Sequence, residues 1–257
     1  MAQARYDQVA DFYVAGWEGT GDPASLALLD LLGPPHGLRV LDLACGHGRT
    51  ARELARRGAT VVGADISSVL LGRALQAERE GPLGVRYLRA DAAALPLDDA
   101  GFDAVTCNFG LSDIDDLDGT LAGVGRALRP GGRFVFCVLH PCFPGGPDVS
   151  GSWPADGRYY DERRWNATGA LSGLRALVGA NHRTLATYLN ALRRHGLWLD
   201  LLSEPAPTPE WSAIRGDAGR HPLFLVARCI KAPRPPAHSS AFAHTQNSLL
   251  SGSAMTT

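Results

Sequence analysis

The stretch Val40-Leu41-Asp42-Leu43-Ala44-Cys45-Gly46-His47-Gly48-Arg49-Thr50 constrains the fold more than any other part of the chain. A short apolar run ends at an acid and a glycine-containing turn, and a helical pattern follows at once. Seventeen positions beyond Gly48, a second apolar run, Thr60 to Ala64, closes on Asp65. Strand, tight turn, helix and an acid ending the next strand form a nucleoside-binding half-site, in which the turn lets a ligand approach the main chain.

The rest of the chain repeats that rhythm. Strand-length apolar runs at Arg39–Leu43, Thr60–Ala64, Val85–Arg89, Phe102–Cys107 and Arg133–Leu139 alternate with helical patterns at Thr50–Arg57, Ser68–Arg79 and Asp116–Leu128. Such alternation predicts a parallel sheet covered on both faces. Gly58 and Gly81 stand where helix C-terminal glycines belong, and Pro130-Gly131-Gly132 stops a helix. From Pro141 to Gly179 the pattern is rich in Gly, Pro and aromatics without a period, and is read as an inserted loop region over about 141–180. A helix near Thr184–His195 and strands at Leu197–Leu202 and Pro222–Ile230 follow. Residues 1–37, with Tyr6, Phe12, Tyr13 and Trp17 and an amphipathic helix at Pro23–Leu32, precede the sheet and are expected to cover its edge or the ligand mouth. Residues 38–231 make the main domain, and 232–257, poor in apolar residues, are expected to be a disordered tail.

Composition narrows the partners. A formal net charge of −1 gives no reason to expect a nucleic acid. No apolar run is long enough to span a bilayer, and the first eleven residues are too polar for a signal peptide. The five cysteines are spread out with no C-x-x-C pair, which argues for a reducing, cytoplasmic setting and against a structural metal. A small-molecule ligand is expected, without membrane or nucleic acid; a homo-oligomer is compatible with the sequence.

The turn also separates cofactors. A dinucleotide fingerprint needs three glycines because a pyrophosphate sits on the helix N-terminus. Here Asp42 stands at the strand end and the third glycine is missing. An acid there repels a pyrophosphate but suits a ligand with a cationic amino group, which favours S-adenosylmethionine. Gly46 and Gly48 are expected to remove side chains where the ligand lies against the main chain. Asp65 can accept from a vicinal diol, and Asp91 from an exocyclic amine, with the Ala92 N–H beside it. Each of these acids could instead be a helix cap or a solvated turn.

The segment resembles motif I of the class I S-adenosylmethionine-dependent methyltransferases, D/E-x-G-x-G-x-G, with Ala44 in place of the first glycine. Ala44 weakens the match little provided its φ is negative. Over about residues 38–140, and more loosely 180–230, other motifs agree: Asp65 matches the ribose-binding acid, Asp91-Ala92 the adenine pair, Phe102-Asp103-Ala104-Val105 the fourth strand, and Leu128-Arg129-Pro130-Gly131-Gly132 the turn before the fifth. The resemblance implies an α/β, Rossmann-like fold, with a mostly parallel seven-stranded sheet, helices on both faces and an antiparallel last strand. It implies an S-adenosylmethionine site built from Tyr13, Asp42, Ala44, Gly46, Gly48, Asp65, Ile66, Asp91, Ala92, Asn108 and Phe109.

The acceptor is read at the carboxyl edge of the sheet. Cys107-Asn108-Phe109-Gly110 is not the Asn/Asp-Pro-Pro-aromatic signature of enzymes that methylate bases, and no carboxylate trio for a divalent metal is evident. His140, after the fifth strand, is a general-base candidate, or merely caps the strand. Asp113 is a second catalytic candidate, or caps the following helix. Phe143, Trp153, Tyr159, Tyr160 and Trp165 in the insertion suit an apolar substrate pocket or lid, or ordinary loop packing. His182 and Arg183 start the next helix, where Arg183 could pair with a substrate carboxylate, and Asn181 reads as its N-cap. His140-Pro141-Cys142-Phe143, the His182–Leu192 pattern His-Arg-x-Leu-x-x-Tyr-Leu-x-x-Leu and Glu204-Pro205 resemble a group of bacterial small-molecule methyltransferases, many associated with specialised metabolism. Tyr6 and Tyr13 resemble tyrosines that close over the cofactor there. The expectation is methyl transfer to an O, N or C atom of a small, partly apolar or aromatic metabolite. The alternatives are a nicotinamide-dependent oxidoreductase and a non-catalytic cofactor-binding partner protein.

Overall fold

Caps and apolar runs set the element boundaries in the computed structural model, which describes residues 4–16, 20–143, 158–167, 173–206, 209 and 222–233. After a 3-10 turn at Arg5–Val9 come α1 (Ala10–Gly16) and α2 (Pro23–Leu32), the latter capped by Asp22, which accepts from the Ser25 N–H. Then follow β1 (Arg39–Leu43), α3 (Arg49–Arg56), β2 (Thr60–Asp65), α4 (Ser68–Glu80), β3 (Arg86–Arg89) and β4 (Phe102–Asn108). The short α5 (Gly110–Asp113), α6 (Leu117–Ala127) and the long β5 (Leu128–Leu139) complete the parallel part. Beyond it lie β6 (Arg164–Trp165), α7 (Gly173–Val178), β7 (Ala180–Asn181), α8 (Leu185–Arg194), β8 (Leu197–Ser203) and β9 (Phe224–Lys231).

Seven strands form one sheet in the order β3-β2-β1-β4-β5-β9-β8. The pairs from β3 to β5 are parallel, and β9 runs antiparallel to both β5 and β8. The strand order reverses between β1 and β4, so a crevice opens at their carboxyl ends, where ligands bind in open α/β sheets. Both faces are buried. One cluster packs Leu41, Val105, Phe134 and Phe136 against Leu121 and Val124 of α6 and Leu192 of α8. The other packs Val40, Ala104 and Val135 against Leu28 and Leu32 of α2 and Leu54 of α3. Each such Leu contributes about 2 kcal/mol when fully buried. No helix among the described residues is long and apolar enough to cross a membrane.

Three expectations change. The region 141–180 is not loop throughout, because β6 and β7 pair as a ribbon and α7 lies between them. Asn181 sits in β7 and does not cap α8; Thr184 does, accepting from the Thr187 N–H. Asp113 does not cap α6, because Asp116 accepts from the Gly119 N–H. The expected tail falls, from residue 234 on, outside the described residues.

Candidate active site

The turn after β1 is tied to the end of β2 by one carboxylate. Asp65 accepts from the Gly46 N–H through Oδ2 and from the Ser67 N–H through Oδ1, each at 2.8 Å. Burial raises its pKa against the pull of these donors. Asp91 accepts from the Ala93 N–H at 3.0 Å and opens the 3-10 turn Ala92–Ala94. Asn108, at the end of β4, donates to Ser25 Oγ at 2.8 Å, and its buried Oδ1 has no hydrogen-bond partner among the described residues. Phe109 then takes a left-handed backbone, φ 65°, while its N–H donates to the Cys137 carbonyl. A bulky residue held there stores strain of the kind found at functional sites.

These ends enclose a cavity of about 340 Å³. Asp65, Ile66, Asp91 and Ala92 line one end, while Phe109, Leu139 and Phe224 line the other. Tyr6 and Tyr13 line it from the N-terminal segment, their ring centroids 5.1 Å apart. That segment is pinned on two sides: Ser67 Oγ donates to Asp7 Oδ1 at 2.5 Å, and Tyr6 Oη donates to Asp113 Oδ2 at 2.9 Å. Burial pushes the Tyr13 hydroxyl up to about 12, so it stays a neutral donor.

Of the sequence-chosen residues, Tyr13, Ala44, Gly46, Asp65, Ile66, Asp91, Ala92, Asn108, Phe109 and Asp113 line this cavity. Asp42 and Gly48 do not. Asp42 lies behind the turn, 1% exposed, with Oδ1 accepting from Thr106 Oγ1 at 2.7 Å and Oδ2 without a hydrogen-bond partner among the described residues. Burial pushes its pKa up to about 7. Asp42 therefore stands behind the cavity wall and not in it. Gly48 serves packing: a Cβ there would lie 2.3 Å from Tyr87 Oη. Ala44 departs from the condition set for it, with φ 53° where a negative value was expected.

The acceptor-side choices fare differently, because most of those side chains are used within the fold. His140 is 3% exposed and outside the cavity lining. Its Nε2 meets Glu204 Oε1 at 2.8 Å, and its Nδ1 accepts from the Cys142 N–H at 3.1 Å, which is the capping alternative. Phe143 packs on that ring, with centroids 4.8 Å apart. Arg183 donates to the carbonyls of Leu111, Ile114 and Asp115, tying α8 to the end of α5. Tyr159 and His182 bond each other, His182 Nε2 donating to the Tyr159 carbonyl at 2.7 Å, and Tyr160 is 89% exposed. Trp153 lies outside the described residues.

Asp113 keeps its place in the cavity but with an unforeseen partner. Arg175 of α7, 6% exposed, donates to Asp113 Oδ1 and to the Gly179 carbonyl. Nothing in the local sequence marks Arg175, because only folding of the insertion brings it to α5. Leu139 and Phe224 were also missed, although strand ends at the carboxyl edge could have marked them. The acceptor groups of Asp65 and Asp91 fit a ribose and an exocyclic amine, and the unpartnered Asn108 Oδ1 fits a cationic ammonium.

Residues 41–136 match the family described as "Methyltransferase domain". The chain is 44% identical over 179 residues to a demethylmenaquinone methyltransferase of Mycolicibacterium gilvum, covering 69% of each. It is 45% identical over 105 residues to the demethylmenaquinone methyltransferase of Thermus thermophilus, covering 40% of this chain and 48% of that protein. Several such curated relatives are thus matched over only about half their length. Among solved structures, an S-adenosylmethionine-dependent methyltransferase from Mesorhizobium loti superposes with a TM-score of 0.67 at 32% identity, covering 82% of this chain and 98% of that one.

Proposed function

The chain belongs to the class I S-adenosylmethionine-dependent methyltransferases, and from that premise we propose that it methylates an O, N or C atom of a small, partly apolar or aromatic acceptor. One observation carries the reading: a single cavity runs from Asp65 and Asp91 to the apolar group Phe109, Leu139 and Phe224. When bound, S-adenosylmethionine supplies a methyl group on a sulfonium, open to in-line displacement.

The chain's own residues then bind, orient and exclude water. Asp65 has carboxylate lone pairs beyond the two it gives to the turn, and these would accept from the ribose hydroxyls. Asp91 and the Ala92 main chain would hold the adenine edge. Asn108 Oδ1 would accept from the ammonium group, while Tyr13 and Tyr6 line the cavity from the N-terminal segment. Phe109, Leu139 and Phe224 form the apolar bed for the acceptor. Asp113, whose charge is matched by Arg175 and whose other oxygen accepts from Tyr6, keeps a second lone pair on each oxygen for an acceptor hydroxyl or amine.

We place the reaction in specialised metabolism, and the demethylmenaquinone in the relatives' names is the competing acceptor to test. Isothermal titration with S-adenosylmethionine and S-adenosylhomocysteine is the first experiment; both are expected to bind, and failure of both at sub-millimolar concentration refutes the reading. Label transfer from methyl-labelled cofactor to a panel of aromatic acids, phenols, amines and demethylmenaquinone then identifies the acceptor class. Cofactor binding without transfer to any of them would favour a non-catalytic partner role.

A further inference from the structure

Charged side chains gather along one stretch of the cavity wall, where Arg5, Arg164 and Arg175 stand with Asp113, Asp115 and Asp116. Asp113 is occupied by Arg175 and Tyr6. Asp115 accepts from Arg5 Nη2 at 2.5 Å and from Asn181 Nδ2 at 3.1 Å. The next acid, Asp116, is turned to the Gly119 N–H. Arg164 is left short: Nη2 donates to the Val178 carbonyl, but Nη1 is buried without a hydrogen-bond partner among the described residues and stands 3.6 Å from Asp115 Oδ1. Arg5 and Arg164 also line a smaller hollow of about 240 Å³ with Gln8 and Asn166, and among the described residues no acid lines it.

An unsatisfied buried guanidinium donor is costly, and a ligand oxyanion satisfies it best. The neighbouring walls, Ile114, Leu139, Leu174 and Phe224, are apolar. We propose that the methyl acceptor is an apolar ring compound bearing a carboxylate, and that Arg164, with Arg5 beside it, receives that carboxylate at the cavity mouth. This rests on the reading of the cavity as a methyl-acceptor site.

The test titrates 2-naphthoate and 2-naphthamide, which differ in the anionic group alone, into protein saturated with S-adenosylhomocysteine. The carboxylate is expected to bind about tenfold more tightly than the amide. Arg164→Gln is expected to abolish that preference while S-adenosylhomocysteine affinity is retained, which also reports that the variant is folded. Arg164→Lys, which keeps the charge, is expected to keep part of it. Equal binding of the two probes, binding of neither, or a preference that survives Arg164→Gln overturns the proposal. Loss of S-adenosylhomocysteine binding by the unmodified protein would instead strike the methyltransferase reading beneath it.

Discussion

Ala44 at the end of β1 and Gly110 at the start of α5 meet so closely that a Cβ on Gly110 would lie 2.5 Å from that of Ala44. Cys107 Sγ would stand 2.7 Å from the same atom. Ala44 therefore occupies a left-handed position normally reserved for glycine, and Gly110 supplies the room its methyl group needs. The missing glycine of the motif is compensated across the crevice, 66 residues on.

Gly110→Ala is accordingly expected to destabilise the protein by about 2 kcal/mol through overpacking. Adding Ala44→Gly should recover part of the loss, the remainder reflecting Cys107. Alone, Ala44→Gly relieves a left-handed alanine but loosens the unfolded chain, leaving a net change of roughly 1 kcal/mol or less. Urea denaturation of the three variants checks this; additive losses would refute the contact.

Asp113→Asn removes the charge that compensates buried Arg175. A loss on the order of 3 kcal/mol is expected, as for other buried pairs broken on one side. Arg175→Met with Asp113→Leu should cost less than Asp113→Asn alone. Thermal denaturation decides, and a double variant weaker than the single would refute the pairing as the cause.

Asp42 makes stability depend on pH. Its folded pKa of about 7 lies above the ordinary 3.8, so the folded state holds the proton more tightly than the unfolded one. Its contribution is full below the ordinary value and is lost as pH rises towards about 7. Asp42→Asn should flatten the stability profile of the cofactor-free protein across that window; an unchanged slope in urea titrations would count against it.

His140 works in the opposite sense. Burial lowers its pKa below the ordinary 6.5, although Glu204 pulls the other way. The neutral ring, accepting the Cys142 N–H, stabilises the fold above pH 6.5, and that stability is lost as pH falls through the lower folded value. Between about pH 7.5 and about pH 5.5 the wild type should lose more stability than His140→Gln. Because the ring lies outside the cavity lining, turnover per folded molecule of the variant at high pH is expected to persist. A collapse of that turnover would restore His140 as a base.

Most of the fold was legible because its signals are local. Apolar runs located all seven strands of the main sheet, with β1 placed to the residue, and the acids and glycines following β1, β2 and β3 marked one end of the cavity. The acceptor end was not legible in the same way. His140, Arg183, Tyr159 and His182 have the chemistry of site residues, yet each is consumed by a partner distant in sequence: Glu204, the α5 carbonyls, Leu185 and the Tyr159 carbonyl respectively. A polar side chain's local pattern says that it needs a partner and not which one.

Sequence by itself determined the parallel sheet, the crevice at its switch point and the class of cofactor, because strand periodicity and turn chemistry are short-range. Tertiary structure decided that Asp42 lies behind the turn and outside the cavity wall, that Ala44 is tolerated because of Gly110, and that Arg164 and Arg175, unmarked in the chain, reach the cavity. Those outcomes depend on which surfaces close against each other, and long-range packing alone sets that.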